Sequence, residues 1–548
     1  MATSTDTIIA TILANRGING EAAVTRFLNP DYGTHLHDPF LMSDMDRAVT
    51  RILAAAAARE RVVVYGDYDI DGITASAIMI EGLAHHGILA TSYIPDRFEE
   101  GYGINQTALE HLKSQGVTLV VSVDCGVTSV AEAVWAHDNG LDLIITDHHA
   151  VPVDIPVAVA VINPKRADDA YPFKDLCGAG VAFKVVQALQ MRTGIPAAGQ
   201  EKWLLDLVAL GTVCDVVTLV DENRVLVSYG LKVMRRTRRP GLVALANVGG
   251  VDIGGITSQH LGFVLGPRMN AAGRLEHAAR SVELVMTNDE ARSVQIALEL
   301  DALNAERRAT QAAVFKQADA MAEHYRDDPV LVLADTAWSH GIVGIVASKL
   351  VEKWHKPVLV AQVMDGVTKG SARSLGAFNM VEALRANAAL FTKFGGHYFA
   401  AGYTLPTERL QELRDGLCAY YRNGAMDTTD VPATVSDVRL PGIRDASWDL
   451  LASFEQLEPF GAANPEPILA IDGLTVADVR RIGQDATHLK LTLADTVGVR
   501  LGAIGFGMAG RYPDIAAGRN VSVLGRLNKN EWQGNASLQL VLSDVCYE

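Results

Sequence analysis

RVVVYGDYDIDGITASAIMIEGLAHH, residues 61–86, holds the strand, turn and helix from which the fold can be read. Arg61 to Tyr65 is short, β-branched and apolar, the signature of a buried strand. A glycine-bounded loop, GDYDIDG, follows at Gly66–Gly72, and a helix is expected from about Ile73 to His85. Working outward, Leu119–Val123 and Leu141–Thr146 repeat the pattern. Each is followed by a loop, and helical periodicity separates it from the next. Strands alternating with helices imply parallel βαβ units, which place ligands beyond the carboxyl ends of the strands.

Upstream, residues 1–45 read as a mostly helical lead-in, and Met45–Ala58 as an alanine-rich helix. Downstream, Asp289 to His324 carries neither Gly nor Pro and predicts one long connecting helix. A second strand-rich unit runs from Pro329 to about Pro406, and a polar stretch from Thr407 to Pro432. Beyond it, Thr487–Leu493, Gly498–Phe506, Val521–Leu527 and Ser537–Val545 are short β-type segments, the pattern of a small barrel. The expected class is α/β: a parallel-sheet domain (46–285), a connecting helix (286–328), a smaller α/β domain (329–425) and a C-terminal OB-like β-barrel (426–548).

The 548 residues, 49% hydrophobic and 20% charged, suffice for several cores. The net charge of −16 disfavours a nucleic-acid binder when taken alone, but an acidic metal cage contributes to the same total. Five scattered cysteines without a CxxC pair exclude a disulfide framework and a structural zinc site. The first residues lack a basic start before an apolar core, and no run of about 18 apolar residues exists. A cytoplasmic protein with no membrane partner is expected.

Carboxylates and imidazoles fall where the chemistry would need them. Asp67, Asp69 and Asp71 follow the first strand, Asp124 the second, and Asp147, His148 and His149 the third. Each has a plain alternative: turn chemistry for the first group, a helix N-cap for Asp124, coincidence for the DHH triplet. Their recurrence at three successive strand ends favours a site for hard divalent cations, Mn²⁺ or Mg²⁺. Two such ions can activate a water and stabilise both oxygens of an in-line phosphoryl displacement.

GDYDIDG, SVDCG and TDHH, in that order, resemble the DHH phosphoesterase superfamily, and within it the bacterial single-strand-specific exonucleases. The resemblance extends over almost the whole chain. It includes PDRFEEGYG (95–103), LGTVCDVV (210–217), LGPRMNAAGRL (265–275), SHGIVGIVASKL (339–350), SARS (371–374) and GGHYFAAG (395–402).

The resemblance implies that Asp69, Asp71, Asp124, His148 and Asp215 hold two divalent ions. Asp215 otherwise reads as a polar residue ending an apolar helix. Asp67 and His149 are implied to orient ligands or touch substrate. Arg97, Arg268, Asn270 and Arg274 are implied to meet phosphates or DNA, as are His340, Ser371, Arg373, Ser374 and His397 in a DHH-associated domain. Arg97, Arg268, Arg274 and Arg373 are expected to line a basic groove. The run at Arg235–Arg239 reads as a solvated helix end. Lys490, Arg526, Lys529 and Trp532 are candidate strand contacts in the OB-like domain. The implied activity is 5′-to-3′ hydrolysis of single-stranded DNA in repair and recombination. The implied form is a monomer, with single-strand-binding protein and a helicase as partners. The alternatives are a phosphodiesterase for short oligonucleotides or cyclic dinucleotides, and a non-enzymatic replication scaffold.

Overall fold

The computed structural model describes residues 5–96, 100–101, 103–275, 278–424, 435–483, 485–532 and 534–547. The chain forms two compact units that do not follow chain order. The first comprises Met1–Gly266, Val285–Asn288 and Thr434–Glu548, the second Pro267–Leu284 and Asp289–Ala433. No helix among the described residues is long and apolar enough to cross a membrane.

The first unit contains five parallel strands: β1 (Val62–Tyr65), β2 (Thr91–Tyr93), β3 (Leu119–Val123), β4 (Asp142–Thr146) and β5 (Ala160–Ile162), in the order β2-β1-β3-β4-β5. Because β1, β3 and β4 are adjacent and parallel, the residues following them emerge at one sheet edge. β1 and β3 are buried along their whole length, as expected for a sheet covered on both faces. The helix after β1 begins at Ile70, three residues earlier than its apolar periodicity suggests. Asp69 caps it by accepting the Gly72 amide at 3.1 Å, which draws Asp71 into the first, buried turn.

The second unit carries a mixed sheet: β6 (Leu331–Asp335), β7 (Val358–Met364), β8 (Val367–Arg373), β9 (Lys393–Gly396) and β10 (Ala400–Pro406), ordered β6-β7-β8-β10-β9. β6 and β7 are parallel and the rest antiparallel. Asp365 and Gly366, both at positive φ (52° and 78°), make the tight β7–β8 turn. The helix Glu290–Ala322 spans 33 residues, about 50 Å at 1.5 Å per residue. Val314, Ala318 and Ala322 at its end share a core with Leu331, Leu333 and Ile342.

In the first unit, the C-terminal strands are β11 (Val438–Leu440), β12 (Leu469–Ile482), β13 (His488–Ala494), β14 (Arg500–Gly505), β15 (Asn520–Trp532) and β16 (Asn535–Tyr547). Pairing of β12 with β15 closes the ring β12-β13-β14-β16-β15. Register shifts at Ile471/Leu474, Val476/Asp478 and Leu524/Gly525 let the long strands bend around it. The lead-in is part of this barrel's core. Ile8, Ile9, Ile12 and Leu13 from the helix Thr5–Asn15 pack with Leu450, Leu469, Ile471 and Val523.

Arg224, 2% exposed, joins these parts of the first unit. Its guanidinium donates to the carbonyls of Phe27, Leu457, Gln456 and Glu458, at 2.8, 3.0, 3.4 and 2.7 Å, and lies over the Phe27 ring. Burial, then the charge of Arg16, lowers its pKa to about 10. Arg224→Met is expected to cost on the order of 3 kcal/mol, because buried carbonyls lose charge-assisted donors. Chemical denaturation monitored by circular dichroism measures that loss, and an unchanged midpoint contradicts it.

Candidate metal centre and substrate-holding residues

Asp67, Asp69 and Asp71 stand after β1, Asp124 after β3, and Asp147, His148 and His149 after β4. Asp215 caps the carboxyl end of the helix Leu205–Cys214. Three clusters share members: Asp71, His148 and Asp215; Asp124, His148 and His149; Asp67, Asp69 and Asp124, each with ligand atoms within 4.8 Å of one another. His148 Nε2 lies 3.1 Å from Asp124 Oδ1, 3.6 Å from Asp71 Oδ2 and 3.7 Å from Asp215 Oδ2.

Backbone geometry presses these acids together. Asp124 sits at φ 60° and Val216, immediately after Asp215, at φ 62°. A β-branched residue in that region is strained, and such strain collects at functional sites. Asp71 accepts the amides of Gly178 and Ala179, the first turn of the helix Gly178–Thr193. Small residues permit the approach. A Cβ on Gly178 would fall 2.5 Å from Asp124 Cβ, and one on Gly211 would fall 2.9 Å from Asp71 Oδ1. Sequence reading missed Gly178 and Gly211; the run CGAG at 177–180 was the available signal. Gly178→Ala is expected to displace Asp124 and slow hydrolysis by about 100-fold, the cost of a roughly 1 Å misplacement. Steady-state rates at saturating Mn²⁺ test this, and wild-type turnover would refute it.

The electrostatics suit a cation. Burial, then like charge from Asp71 and Asp69, raises the Asp215 carboxyl to about 9. Asp71 and Asp124 are raised for the same first reason. Burial lowers His148 to about 4, so its imidazole is neutral at pH 7 and offers a lone pair. Asp124 Oδ1 and His148 Nε2 are buried and close but not hydrogen-bonded. A buried carboxylate oxygen and a buried imidazole nitrogen 3.1 Å apart, neither with a hydrogen-bond partner, form a donor set that fits a shared metal ion.

Asp147 points elsewhere. It accepts the amides of Val127, His148 and His149 and the His149 ring at 2.8 Å. Burial opposes its ionisation, but the bond and charge of His149 prevail and lower its pKa. His149 is raised in turn, the Asp147 carboxylate outweighing burial. This pair holds the DHH turn and presents a partly exposed imidazole beside Asp124.

In the second unit, several candidates gather at the first turn of the helix His340–Trp354. Arg274 donates to the Gly341 carbonyl at 3.1 Å, and a Cβ on Gly344 would meet Ser371 Oγ at 3.0 Å and Arg373 Nη2 at 3.2 Å. Arg373 donates to Ser371 Oγ, and burial lowers its pKa. Ser374 Oγ donates to the Phe378 carbonyl, so its proton is committed to the turn. His397 is exposed between β9 and β10, opposite the end of β8. Arg268 and Asn270 share the helix Gly266–Leu275 with Arg274, but Arg268 pairs with Asp301 at 2.9 Å. Arg97 and the Trp532 side chain lie outside the described residues.

In the first unit, Arg526 and Lys529 line a cavity of about 670 Å³ with Ser258, His260 and Phe460. Lys490 is exposed on β13 and does not line it. Arg239 corrects the reading of Arg235–Arg239 as a solvated end. It is bound to Glu81 and Asp206, while Arg235 donates to the Ile256 carbonyl.

A parallel sheet with acids and imidazoles at one edge is the DHH class of domain, and residues 61–212 match the model of the DHH family, N-terminal domain. Residues 327–423 match the DHHA1 domain and 437–544 the RecJ OB domain. A Bacillus subtilis protein named single-stranded-DNA-specific exonuclease RecJ is 37% identical over 541 residues, covering 98% of this chain and 68% of that protein. The Haemophilus influenzae protein of the same name is 34% identical, covering 93% and 91%. The crystal structure of RecJ in complex with Mn²⁺ from Thermus thermophilus matches with TM-score 0.81 at 28% identity, covering 100% of this chain and 79% of that one. The Mg²⁺ complex from the same organism gives 0.75 at 27%, covering 100% and 77%. The chain belongs to the RecJ family.

Proposed function

We propose that this chain is a divalent-metal-dependent exonuclease that removes nucleotides from the 5′ end of single-stranded DNA. The observation that carries the reading is the cluster around His148: a neutral buried imidazole within 3.1–3.7 Å of carboxylates from three separate segments. Asp69, Asp71, Asp124, His148 and Asp215 would hold two ions, Mn²⁺ or Mg²⁺. When bound, these supply an activated water and neutralise charge on the scissile phosphate. The chain's own part is to keep His148 deprotonated, hold Asp71 with two backbone amides, and place the His149 imidazole beside Asp124. Arg274, His340, Ser371 and Arg373 supply donors for the flanking phosphates, with Arg97, Arg268, Asn270, Ser374 and His397 as further candidates. The closed barrel, with Lys490 exposed on β13 and Arg526 exposed on β15, holds the incoming strand.

A monomer restricted to single strands needs a helicase to open duplex. It meets DNA coated by single-strand-binding protein, as in repair and recombination. Digestion of 5′- and 3′-labelled strands with Mn²⁺, Mg²⁺ or EDTA tests the reading. Label should leave first from the 5′ end, only with metal. Loss from the 3′ end, or activity in EDTA, would contradict it.

A further inference from the structure

The acidic body of this protein carries, in the first unit, a cation-rich aromatic patch that the proposed reaction does not use. Lys202 lies over the Tyr32 ring, its Nζ 4.4 Å from the centroid. Lys232 lies over Tyr229 at 4.4 Å, and the Arg238 guanidinium covers Trp203 at 3.8 Å. Tyr32 and Tyr229 pack ring to ring, centroids 5.6 Å apart. One series of contacts therefore runs cation, ring, ring, cation, and the Arg238–Trp203 pair stands at the cavity that Lys202, Tyr229 and Lys232 line. Trp203 separates two cavities. One, of about 280 Å³, is lined by Lys202, Tyr229, Lys232 and Arg236, with no carboxylate in its wall. The other, of about 370 Å³, holds Arg238, with Glu81 and Asp206 already bound to Arg239.

Among the described residues, Lys202, Lys232, Arg236 and Arg238 have no carboxylate at ion-pair distance. In a chain with 64 acids and 48 bases, four clustered cations without acidic partners point to an anion supplied from outside. Tight helix packing sets the patch. A Cβ on Gly230 would meet the Leu205 carbonyl at 2.3 Å, so its absence brings the end of the helix Asp221–Met234 beside Trp203. Trp203 precedes the first turn of the helix Leu205–Cys214, whose other end carries Asp215. Ten residues at 1.5 Å separate patch and metal cluster by roughly 15 Å or more. A nucleotide being cleaved does not occupy both.

We infer that this patch is a second binding surface for single-stranded nucleic acid, remote from the metal cluster. The inference rests on the proposed function for its choice of polyanion. Cations clustered with aromatic rings, with a cavity on each side of one indole, match a polymer that carries both phosphates and bases. An acidic peptide with a single apolar anchor would need one such cavity. Strands long enough to leave the metal site and reach the patch gain affinity; short ones do not.

The test is the double variant Lys232→Glu/Arg236→Glu in the full chain, at exposed positions outside the metal site. Binding to a long and a short oligonucleotide is measured in EDTA across a salt series, so that no strand is cut. Hydrolysis of the short strand with Mn²⁺ is measured separately. Long-strand affinity should fall about tenfold and its salt slope by about 1.4, at 0.7 per lost single-strand contact. Short-strand affinity and hydrolysis should be unchanged. Unaltered long-strand affinity and slope would overturn the inference. So would a variant that keeps DNA affinity but loses binding to a poly-glutamate probe, which would make the patch a protein site. Absence of hydrolysis by the unaltered protein would instead overturn the proposed function, because the binding arm requires no catalysis.

Discussion

Asp124→Ala is expected to lower strand hydrolysis by roughly three orders of magnitude or more, because metal-centred charge stabilisation is worth several kcal/mol. Melting in EDTA should stay unchanged or rise. In the metal-free fold Asp124 is buried against Asp71, Asp69, Asp67 and Asp215, and deleting one of these acids relieves repulsion. Asp147→Ala, 23 residues along the chain, should behave differently. Asp147 satisfies three amides and an imidazole, so its loss should lower melting as well as activity. Rates with labelled strands and melting curves for the two variants separate a metal-holding acid from a turn-holding one. Near-normal turnover in the Asp124 variant would remove the metal assignment. A melting loss equal to that of Asp147→Ala would make Asp124 a structural residue.

The metal-free protein should lose stability as pH rises from 6.5 to 9. Asp215 has a folded pKa of about 9 against an ordinary 3.8, with Asp71 and Asp124 shifted the same way. The folded state therefore binds more protons than the unfolded one. The associated stability is complete below about pH 4 and is lost as pH climbs towards the folded values. His148, lowered to about 4 from 6.5, acts in the opposite sense, but only between those two values. Above 6.5 His148 adds nothing further, and His149, raised from 6.5, acts in the same sense as the acids. Mn²⁺ should abolish the slope, since a bound cation replaces the protons, and its binding at pH 7 should release roughly one or two of them. Melting in EDTA at several pH values, and titration calorimetry in buffers of different ionisation enthalpy, measure both effects. A flat or rising melting temperature in EDTA between pH 6.5 and 9 would show that the acids are not crowded as described.

Much of the catalytic unit is written locally. VVVY followed by GDYDIDG specifies strand, turn and helix because β-branching, Asp capping and glycine each act within a few residues. The same holds for the acids after β3 and β4, whose shared edge follows from parallel pairing of adjacent strands. The long Glu290–Ala322 helix was legible for the same reason: an unbroken run without Gly or Pro. Asp215 was not legible from its neighbours, since its meaning depends on His148, 67 positions away and 3.7 Å distant. Nor was β12, whose 14 residues bend through two register shifts that break the two-residue alternation. The lead-in reads as helical, but nothing local names the partners of Ile8 and Ile12. Those lie in a barrel more than 400 residues later. Arg239 looked like one more basic residue in RRTRR until burial beside Glu81 and Asp206 made it an internal ion pair. Propensity and capping act over one or two turns of chain, whereas burial, pKa and ligand geometry arise only where distant segments meet.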